Sequence, residues 1–289
     1  MFGFLNVNKP AGPTSHDIVD QVRRLVGRGI KIGHAGTLDP FADGVLVLCV
    51  GPATRLARYA QARPKRYVAR ITLGATSTTD DSQGRIVPVP HDKPAPSLAD
   101  IQAVLSKFVG AISQVPPAHS AVHVSGRRAY ELARAGAQVE LPPRQVAVHS
   151  IDLMRYLHPL LEIDVRCGGG TYIRALARDI GTALGVGGYC SKLARTEIGP
   201  FKLGSAVRPE DIDPGRDLLD PLVALDDMPR VTADCDMALR LAGGNSIELA
   251  EKLTPGEAAA LDRAGRLLAV GDVQDDGKTF RPHTVFVTA

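Results

Sequence analysis

The residues best suited to chemistry in this chain lie in one short turn, Gly33–Pro40, with the sequence GHAGTLDP. The turn places the carboxylate of Asp39 between glycines and a proline, immediately before a wholly apolar segment. Pro40 disfavours helical geometry at Asp39, and Gly36 permits backbone angles that other residues avoid and lets a substrate approach closely. A carboxylate held in this way is a candidate nucleophile. The same residue types also form ordinary turns, so the turn alone leaves both interpretations open.

The elements that must position this turn can be predicted from caps and apolar periodicity. Thr14 or Ser15 can cap a helix to about Gly27, and a buried strand is predicted over 44–51. The other predicted elements are a helix over 53–62, a strand ending at Gly74, a helix capped by Ser97, strands near 145–157 and 160–167, a helix capped by Thr171, and a hairpin over about 188–201. The inward faces predicted for the first and third helices are Ile18, Val19, Val22, Leu25 and Val26, and Leu98, Ile101, Val104, Leu105 and Phe108.

The length and composition limit the classes of protein to which this chain can belong. The chain has 289 residues, enough for one large and one small domain, with 44% apolar and 22% charged residues. No segment approaches the roughly 18 to 20 apolar residues that a membrane span requires, and the N-terminus lacks the features of a secretory signal. We therefore expect a cytoplasmic protein. The four cysteines are scattered, which predicts reduced, mostly buried thiols and neither a disulfide framework nor a zinc site.

The net charge of +3 is unevenly distributed along the chain. The segment 209–277 contains 16 acidic and 6 basic residues. In contrast, no acidic residue lies between Asp43 and Asp80, where the basic residues are Arg55, Arg58, Arg63, Lys65, Arg66 and Arg70. We interpret this stretch as a local footprint for a polyanion, with a solvated basic face as the alternative.

Several enzyme classes are disfavoured because their signatures are missing from the sequence. The chain has no Gly-x-Ser-x-Gly elbow, no full P-loop Gly-x-x-x-x-Gly-Lys-Ser/Thr and no Gly-x-Gly-x-x-Gly fingerprint. A two-carboxylate glycosidase remains possible through Asp39 and Asp43, although a spacing of four residues in a loop does not fix the separation of the carboxyl groups.

Five segments occur in this order between Gly33 and Gly181: GHAGTLDPFADGVLVLCVG, GPATRLARY, KRYVARITLG, PPAHSAVHVSGRRAYELARAG and GGGTYIRALARDIG. Together they resemble the tRNA pseudouridine synthase B (TruB) family. The resemblance implies an α+β fold: a catalytic domain over 1–228, built on a mixed, largely antiparallel sheet with flanking helices. It also implies a thumb insertion at about 116–144 and a small, β-rich, PUA-like C-terminal domain over 229–289.

The resemblance implies isomerisation of uridine 55 in the T-loop of tRNA, without cofactor or metal. Asp39 matches the family's catalytic aspartate, which attacks the target uridine, and Arg174 matches the arginine that pairs with it. Tyr67 matches a tyrosine that stacks on the flipped uracil and takes part in proton removal at C5. His34 matches a histidine that fills the space the base vacates, and Leu193 an apolar residue that borders the pocket.

Further substrate-binding residues are expected from the same comparison. Arg55 and Arg127 are expected to contact phosphates, Tyr172 to lie in the first turn of the helix that carries Arg174, and Asp81 to retain one of two family acids. The chain departs from the family pattern at four positions: a bulky aromatic and a lysine are more usual at His119 and His123, a lysine at Arg55 and an aspartate at Thr78.

The expected partner is the T-arm stem-loop of tRNA, and the resemblance suggests a monomer. A second hypothesis is an RNA-binding or tRNA-folding module of the same fold whose catalytic residues are idle. A third is a guide-RNA-dependent synthase, which a short N-terminus and the lack of an additional partner-binding segment disfavour.

Overall fold

The computed structural model describes residues 1–27, 29–90, 94–118, 120, 123–124, 127–128 and 141–287. Its strands are β1 (Gly3–Lys9), β2 (Ile32–His34), β3 (Asp43–Val50), β4 (Lys65–Leu73), β5 (Ala75–Ser77), β6 (Ile86–Pro88), β7 (Gly110–Gln114), β8 (His123–Val124), β9 (Arg127–Arg128), β10 (Arg144–Leu157), β11 (Leu160–Cys167), β12 (Gly188–Ile198), β13 (Phe201–Lys202), β14 (Arg230–Thr232), β15 (Ile247–Glu248), β16 (Gly256–Leu261), β17 (Leu267–Val273) and β18 (Thr279–Val285). Its α-helices are α1 (Ser15–Val26), α2 (Ala57–Ala62), α3 (Leu98–Ser106), α4 (Ile173–Ala183), α5 (Pro214–Asp217) and α6 (Cys235–Ala242).

Nine strands form one large sheet in the order β1-β3-β12-β4-β11-β10-β7, with β2 paired to β3 and β13 paired to β12. The pairing of β12 with β3 is parallel, and the other pairings in this sheet are antiparallel. The predicted mixed, largely antiparallel sheet is therefore confirmed. Strand β12 lies between β3 and β4, which brings the segment after residue 188 beside the Asp39 turn and Tyr67.

The wholly apolar sequence of β3 follows from its position inside the molecule. Leu46, Leu48 and Val50 pack into the core between the sheet and helices α1 and α4. The alternate residues Val45, Val47 and Cys49 pack on the opposite face, with residues of β16 and β17. A strand that is covered on both faces needs apolar side chains at successive positions rather than at every second one.

The predicted caps of two helices are confirmed. Thr14 and Ser97 each form a capping box with the aspartate three residues later, at the starts of α1 and α3. Two inward assignments were wrong: Leu25 is 48% exposed and Leu98 is 53% exposed. Leu25 lies at the edge of the apolar stripe of α1, and Leu98 is the first residue of α3, before the stripe reaches the sheet.

The helix predicted over 53–62 is divided in the structure. A 3-10 helix spans Gly51–Leu56 and the α-helix begins at Ala57. Gly51 has a φ of 62°, and Thr54 donates to its carbonyl oxygen. Tight i to i+3 turns of this kind are common at the start of an α-helix.

A second sheet of five strands follows, in the order β14-β16-β17-β18-β15. We call it the C-terminal sheet. It has its own apolar cluster, which includes Leu241 of α6 and Phe280 of β18. Its opposite side contributes to the cluster beneath β3, and Phe286 stacks on Phe2 with ring centroids 5.0 Å apart. The predicted β-rich C-terminal region is therefore present.

Most of the predicted thumb insertion, 116–144, lies outside the described residues. The structure there gives the short antiparallel pair β8 and β9, whereas the side chains of His119, His123, Arg127 and Arg128 lie outside the description. Among the helices in the described part of the chain, none is both long and apolar enough to cross a bilayer.

Candidate active site

The loop that carries Asp39 is held through its backbone. We define the Asp39 loop as Gly36–Pro40. The oxygens of Gly36 and Thr37 accept from Arg195 at 3.2 Å, and that of Leu38 accepts from the Ser15 hydroxyl at 3.0 Å. The remaining two accept from backbone N–H groups: Asp39 from Ala42 at 3.1 Å and Pro40 from Gly12 at 2.7 Å. All five consecutive carbonyls are thus bound.

Two further features fix this loop. Gly36 has a φ of 100°, the conformation that favours glycine and that the sequence predicted at this position. The Lys9 ammonium is fully buried and lies 3.4 Å from the Pro40 oxygen, while it donates to the oxygens of Pro10 and Pro13 at 2.8 and 2.9 Å. Burial lowers the pKa of Lys9 to about 8. The Asp39 carboxylate therefore extends from a backbone that has little freedom to move.

The structure brings together Asp39 and Arg174, which are 135 residues apart in sequence. Nη2 of Arg174 donates to Oδ1 of Asp39 at 3.0 Å, and Nε lies 2.9 Å from Oδ2, so the pair is bidentate. On its other side, Nη1 of Arg174 lies 3.1 Å from Oδ2 of Asp81 and from the Thr79 carbonyl oxygen. One buried guanidinium thus bridges two carboxylates.

Exposure differs between the two carboxylates. The Asp39 side chain is 31% exposed, whereas those of Arg174 and Asp81 are 6% and 5% exposed. Asp81 also accepts from the Thr79 hydroxyl and from the backbone N–H of Gln83. Only Asp39 can therefore be reached from outside, and Asp81, expected at first to bind substrate, lies behind Arg174 as its partner.

The charges around Asp39 oppose one another. Burial raises the pKa of the Asp39 carboxyl, the Arg174 guanidinium lowers it, and the nearby Asp81 carboxylate raises it again. The net direction is upward from the ordinary value of an aspartate. The bidentate hydrogen bonds from Arg174 favour the ionised form, which is the form that can act as a nucleophile.

Arg174 is placed by the start of α4. The structure corrects the predicted cap: Tyr172 is the N-cap residue, and the Thr171 hydroxyl donates instead to the Gly168 oxygen. The Gln114 side chain binds both backbone groups of Tyr172, donating to its oxygen at 3.1 Å and accepting from its N–H at 2.8 Å. A buried glutamine from the end of β7 thus holds the backbone of Tyr172, the N-cap residue, whose own side chain makes no capping hydrogen bond.

Tyr67 and Leu193 lie on neighbouring strands beside the Asp39 loop. Tyr67 is 8% exposed, and its Cα is paired with Arg195 of β12 on one side and Val165 of β11 on the other. Burial raises the pKa of Tyr67, and the positive charge of Arg195 lowers it. Leu193 is 4% exposed within the main apolar cluster, which also contains Tyr67 and Leu38.

The other expected substrate-binding residues are spread more widely. His34 ends β2, five residues before Asp39, and Tyr172 is half-buried directly before α4. Arg55 is exposed, and its guanidinium carbon lies 4.5 Å from the ring centroid of Phe286 near the C-terminal sheet. Arg127 belongs to β9, with its side chain outside the described part of the chain.

The predicted polyanion footprint needs correction, because most of its basic side chains bind other groups of the same chain. Four of the arginines form ion pairs: Arg58 with Glu257, Arg63 with Asp226 and Asp227, Arg66 with Asp164 and Glu197, and Arg70 with Glu162. Lys65 donates to the oxygens of Gln61 and Arg63. The ion pairs could not be predicted from the charge pattern, because the acidic partners are distant in sequence. Among the described residues, no acidic partner lies within ion-pair distance of Arg55.

Sequence reasoning missed three residues that hold the site: Ser15, Gln114 and Arg195. Each is 3% exposed or less. The signal available for Arg195 was its spacing of two from Leu193, which places both on one face of a strand, since a charged residue at an inward position demands a partner. No comparable pattern marks Gln114, whose partner is 58 residues away.

One group of potential metal ligands lies elsewhere in the described residues. Side-chain atoms of Glu257, Asp272 and His283 lie within 4.8 Å of one another on the C-terminal sheet. Arg58 already donates to Glu257 at 2.7 Å and lies 3.3 Å from Nε2 of His283. A guanidinium therefore supplies positive charge to this group.

Comparison with known proteins identifies the class to which this site belongs. Residues 23–173 match the model of the TruB family of pseudouridylate synthases, N-terminal domain. A tRNA pseudouridine synthase B from Symbiobacterium thermophilum is 47% identical over 84% of this chain and 82% of its own length. One from Caldanaerobacter subterraneus subsp. tengcongensis is 40% identical over 98% of this chain and 99% of its own.

Solved structures show the same fold. A chain from a Cbf5-Nop10-Gar1 complex superposes with a TM-score of 0.76 at 25% identity, covering 99% of this chain and 85% of that one. A chain from an H/ACA RNP bound to a substrate RNA that contains 2′-deoxyuridine gives 0.73 at 25% identity, with the same coverage. The family model and the near-full-length relatives agree with the geometry of the site, and this chain belongs to the TruB family of pseudouridylate synthases, which are isomerases.

Proposed function

We propose that this protein converts uridine 55 in the T-loop of tRNA to pseudouridine, in the cytoplasm, with Asp39 as the nucleophile and with flipping of the target base. The observation that carries the proposal is the bidentate pair between Asp39 and Arg174. It combines a partly exposed carboxylate, a buried counter-charge and a loop whose carbonyls are all bound. The names of the relatives support tRNA as the substrate.

The chemistry follows from this arrangement. Asp39 attacks the target nucleoside and the N-glycosidic bond breaks. The uracil turns, a bond from C5 to C1′ replaces the one from N1, and the bond to Asp39 breaks again so that the free carboxylate is restored. The proton leaves C5 and N1 gains one, so the reaction is an isomerisation with no change in composition. Arg174 holds the carboxylate ionised and oriented through charge-assisted hydrogen bonds. Residues of this chain can carry each of these steps.

Asp39 can reach the target uridine only when that base leaves the folded T-loop of the RNA, at a cost of a few kcal/mol. Stacking on an aromatic side chain recovers about 1 to 3 kcal/mol per base, and Tyr67 lies close enough to Asp39 to provide it. His34, before the Asp39 loop, is proposed to fill the space that the base leaves. Leu193 is proposed to border the pocket beside Tyr67, and the half-buried Tyr172 to contact the substrate next to Arg174.

Tyr67→Phe should separate the two roles proposed for Tyr67. The phenol is neutral at neutral pH, because the ordinary pKa of tyrosine is about 10 and burial raises it further. It would therefore act at C5 as an uncharged hydroxyl. Phenylalanine keeps the stacking face, and we expect unchanged affinity for a T-arm hairpin but a turnover lower by about 100-fold or more. Equilibrium binding and single-turnover formation of pseudouridine measure both quantities. Full turnover in Tyr67→Phe would leave stacking as the only role.

RNA contact by Arg55 can be tested through salt dependence. Phe286 covers one side of the guanidinium, and stacking leaves its N–H donors free to bind a phosphate. We expect Arg55→Glu to weaken tRNA binding and to reduce the slope of log affinity against log salt by about one or more. Arg266→Glu, a reversal at a side chain that is 83% exposed and distant in sequence, is the control. Equal effects of both reversals would mean that Arg55 makes no specific contact.

A guide-independent reaction distinguishes this proposal from its alternatives. The purified chain, alone with an unmodified T-arm hairpin, should form pseudouridine. An RNA-folding module with idle catalytic residues would bind the hairpin without converting it, and a guide-dependent synthase would convert it only when a guide RNA is added. Gel filtration of the active fraction tests the proposed monomer.

The C-terminal sheet is proposed to form a PUA-like module over 229–289, after a catalytic domain over 1–228. The five-stranded arrangement with its own apolar cluster supports this division. The acidic composition of the segment opposes phosphate contact over most of its surface. Its proposed contribution to RNA binding is therefore limited to the basic edge near Lys278 and Arg281.

A further inference from the structure

Arg195 is a charged residue in the interior of the large sheet. It is 2% exposed and lies in β12, which runs between β3 and β4. Its Nε donates to the Val45 oxygen at 2.8 Å, and its two terminal nitrogens donate to the oxygens of Thr37 and Gly36 at 3.2 Å. The planar guanidinium thus joins β3 to the two residues that lead into Leu38 and Asp39.

The sheet places Arg195 between the strand that follows the Asp39 loop and the strand that carries Tyr67. Its Cα pairs with Gly44 of β3 and with Tyr67 of β4. A side chain at position 44 would collide with Arg195, because a Cβ there would lie 2.2 Å from the Arg195 oxygen, and Gly44 has a φ of 103°. The glycine at position 44 therefore permits the close approach of β3 to the backbone of Arg195.

Backbone carbonyls do not by themselves require a buried cation, since neutral donors can satisfy them. Arg195 has no carboxylate within ion-pair distance among the residues that the structure describes, in contrast to Arg174 and Arg178. Its positive charge favours the ionised form of Asp39 and lowers the pKa of that carboxyl. The hydrogen bonds of the guanidinium hold the Asp39 loop against β3. Its charge lowers the pKa of both Asp39 and Tyr67.

We propose that Arg195 is a positioning residue for the reaction: its guanidinium fixes the backbone at Gly36 and Thr37, and thereby the angle at which Asp39 meets the nucleoside. It touches neither substrate nor reacting atoms and acts through Asp39 and Tyr67. The inference rests on the proposed role of Asp39. Lysine keeps the charge, but its donors radiate from a single nitrogen and lack the planar fork that reaches the separated oxygens of Gly36, Thr37 and Val45.

The test compares Arg195→Lys with Leu161→Ala. Leu161 is fully buried on β11, several residues along the strand from the partner of Tyr67, so its truncation destabilises the same sheet without touching the Asp39 loop. For Arg195→Lys we expect single-turnover formation of pseudouridine at saturating T-arm RNA to fall about 100-fold with unchanged affinity. Leu161→Ala should lower the denaturation midpoint and keep the rate.

Amide hydrogen exchange provides a readout that does not depend on activity. The N–H groups of Ala35 and Ala42 bind the oxygens of Val47 and Asp39 at the two ends of the loop. Their exchange should accelerate in Arg195→Lys and stay unchanged in Leu161→Ala. A wild-type rate and wild-type exchange in Arg195→Lys would overturn the proposal, and so would an equal loss of rate in Leu161→Ala.

A second variant keeps the test decisive if Arg195→Lys does not fold. Gly36→Ala strains the loop through its positive φ, while no atom lies within 4 Å of the added Cβ. It should show the same fall in rate without loss of affinity, and a normal rate would overturn the inference. Wild-type protein and Asp39→Asn are assayed alongside: if the wild type is inactive, the proposed function fails, whereas an active wild type with an unaffected Gly36→Ala removes only the positioning role.

Discussion

Asp39→Asn is expected to abolish pseudouridine formation while leaving folding and RNA binding intact. Asparagine has nearly the shape of aspartate but is not a nucleophile, so we expect the rate to fall by about 10⁴-fold or more, as when a group that acts in the chemical step is removed. Arg174 keeps its pair with Asp81 in this variant, so no buried charge is left alone. Single-turnover assays on a T-arm hairpin, together with the denaturation midpoint and the hairpin affinity, measure the three expectations.

The matched control is Asp43→Asn, an amide substitution four residues away at the start of β3. Asp43 is half-buried, and the structure shows no contact of its side chain with Arg174. The control should keep the wild-type rate. It also tests the two-carboxylate alternative, in which both acids are required. Equal loss in the two variants, or no loss in Asp39→Asn, would contradict the mechanism.

Arg174→Met is expected to have the second largest effect, because it removes the one cation between two carboxylates. Breaking a buried ion pair costs roughly 3 to 5 kcal/mol of unfolding free energy, and the lower end applies here since Asp39 is about a third exposed. The pKa of Asp39, which burial already raises and Arg174 lowers, should then rise further above its value in the unfolded chain. A raised folded-state pKa means that the folded variant binds more protons, so the lost stability should return as pH falls and grow as pH rises through that pKa.

Activity should follow the same electrostatics. Wild-type activity should be lost with falling pH as Asp39 is protonated, at a pH above the ordinary carboxyl range, because its pKa is raised chiefly by burial. Arg174→Lys keeps a charge but loses the bidentate geometry, and its rate should fall with little change in RNA affinity. Arg178→Lys is the control on the same helix, where the arginine pairs with Asp80. A wild-type rate in Arg174→Lys would contradict the orienting role.

Local elements of the fold could be predicted because their signals are local. The capping boxes of Thr14 and Ser97 and the apolar run of β3 each lie within a few residues, and each is present in the structure. The division between the 3-10 helix Gly51–Leu56 and the α-helix from Ala57 was missed, because apolar periodicity does not distinguish a 3-10 turn from the first turn of an α-helix. The exposure of Leu25 and Leu98 shows that apolar periodicity predicts which face of a helix is buried but not where the buried face ends.

The site could be predicted only in part, because its contacts join distant segments. The pairing of Asp39 with Arg174 came from resemblance to a family, since no local pattern links residues 135 positions apart. The order of strands in the sheet determines which acidic side chains lie beside which basic ones. A count of charges along the sequence therefore could not reveal the ion pairs of Arg66 and Arg70. Arg195 was missed for the same reason: its partners Gly36 and Thr37 are reached only through the parallel pairing of β12 with β3.

The central claim is that this chain alone makes pseudouridine at one position of tRNA. Mass mapping of pseudouridine in an unmodified tRNA transcript, incubated with the purified protein and no guide RNA, tests it most directly. We expect a single new pseudouridine at position 55, and none when that uridine is replaced by cytidine. Pseudouridine at other positions with position 55 unmodified, or none at all, would contradict it.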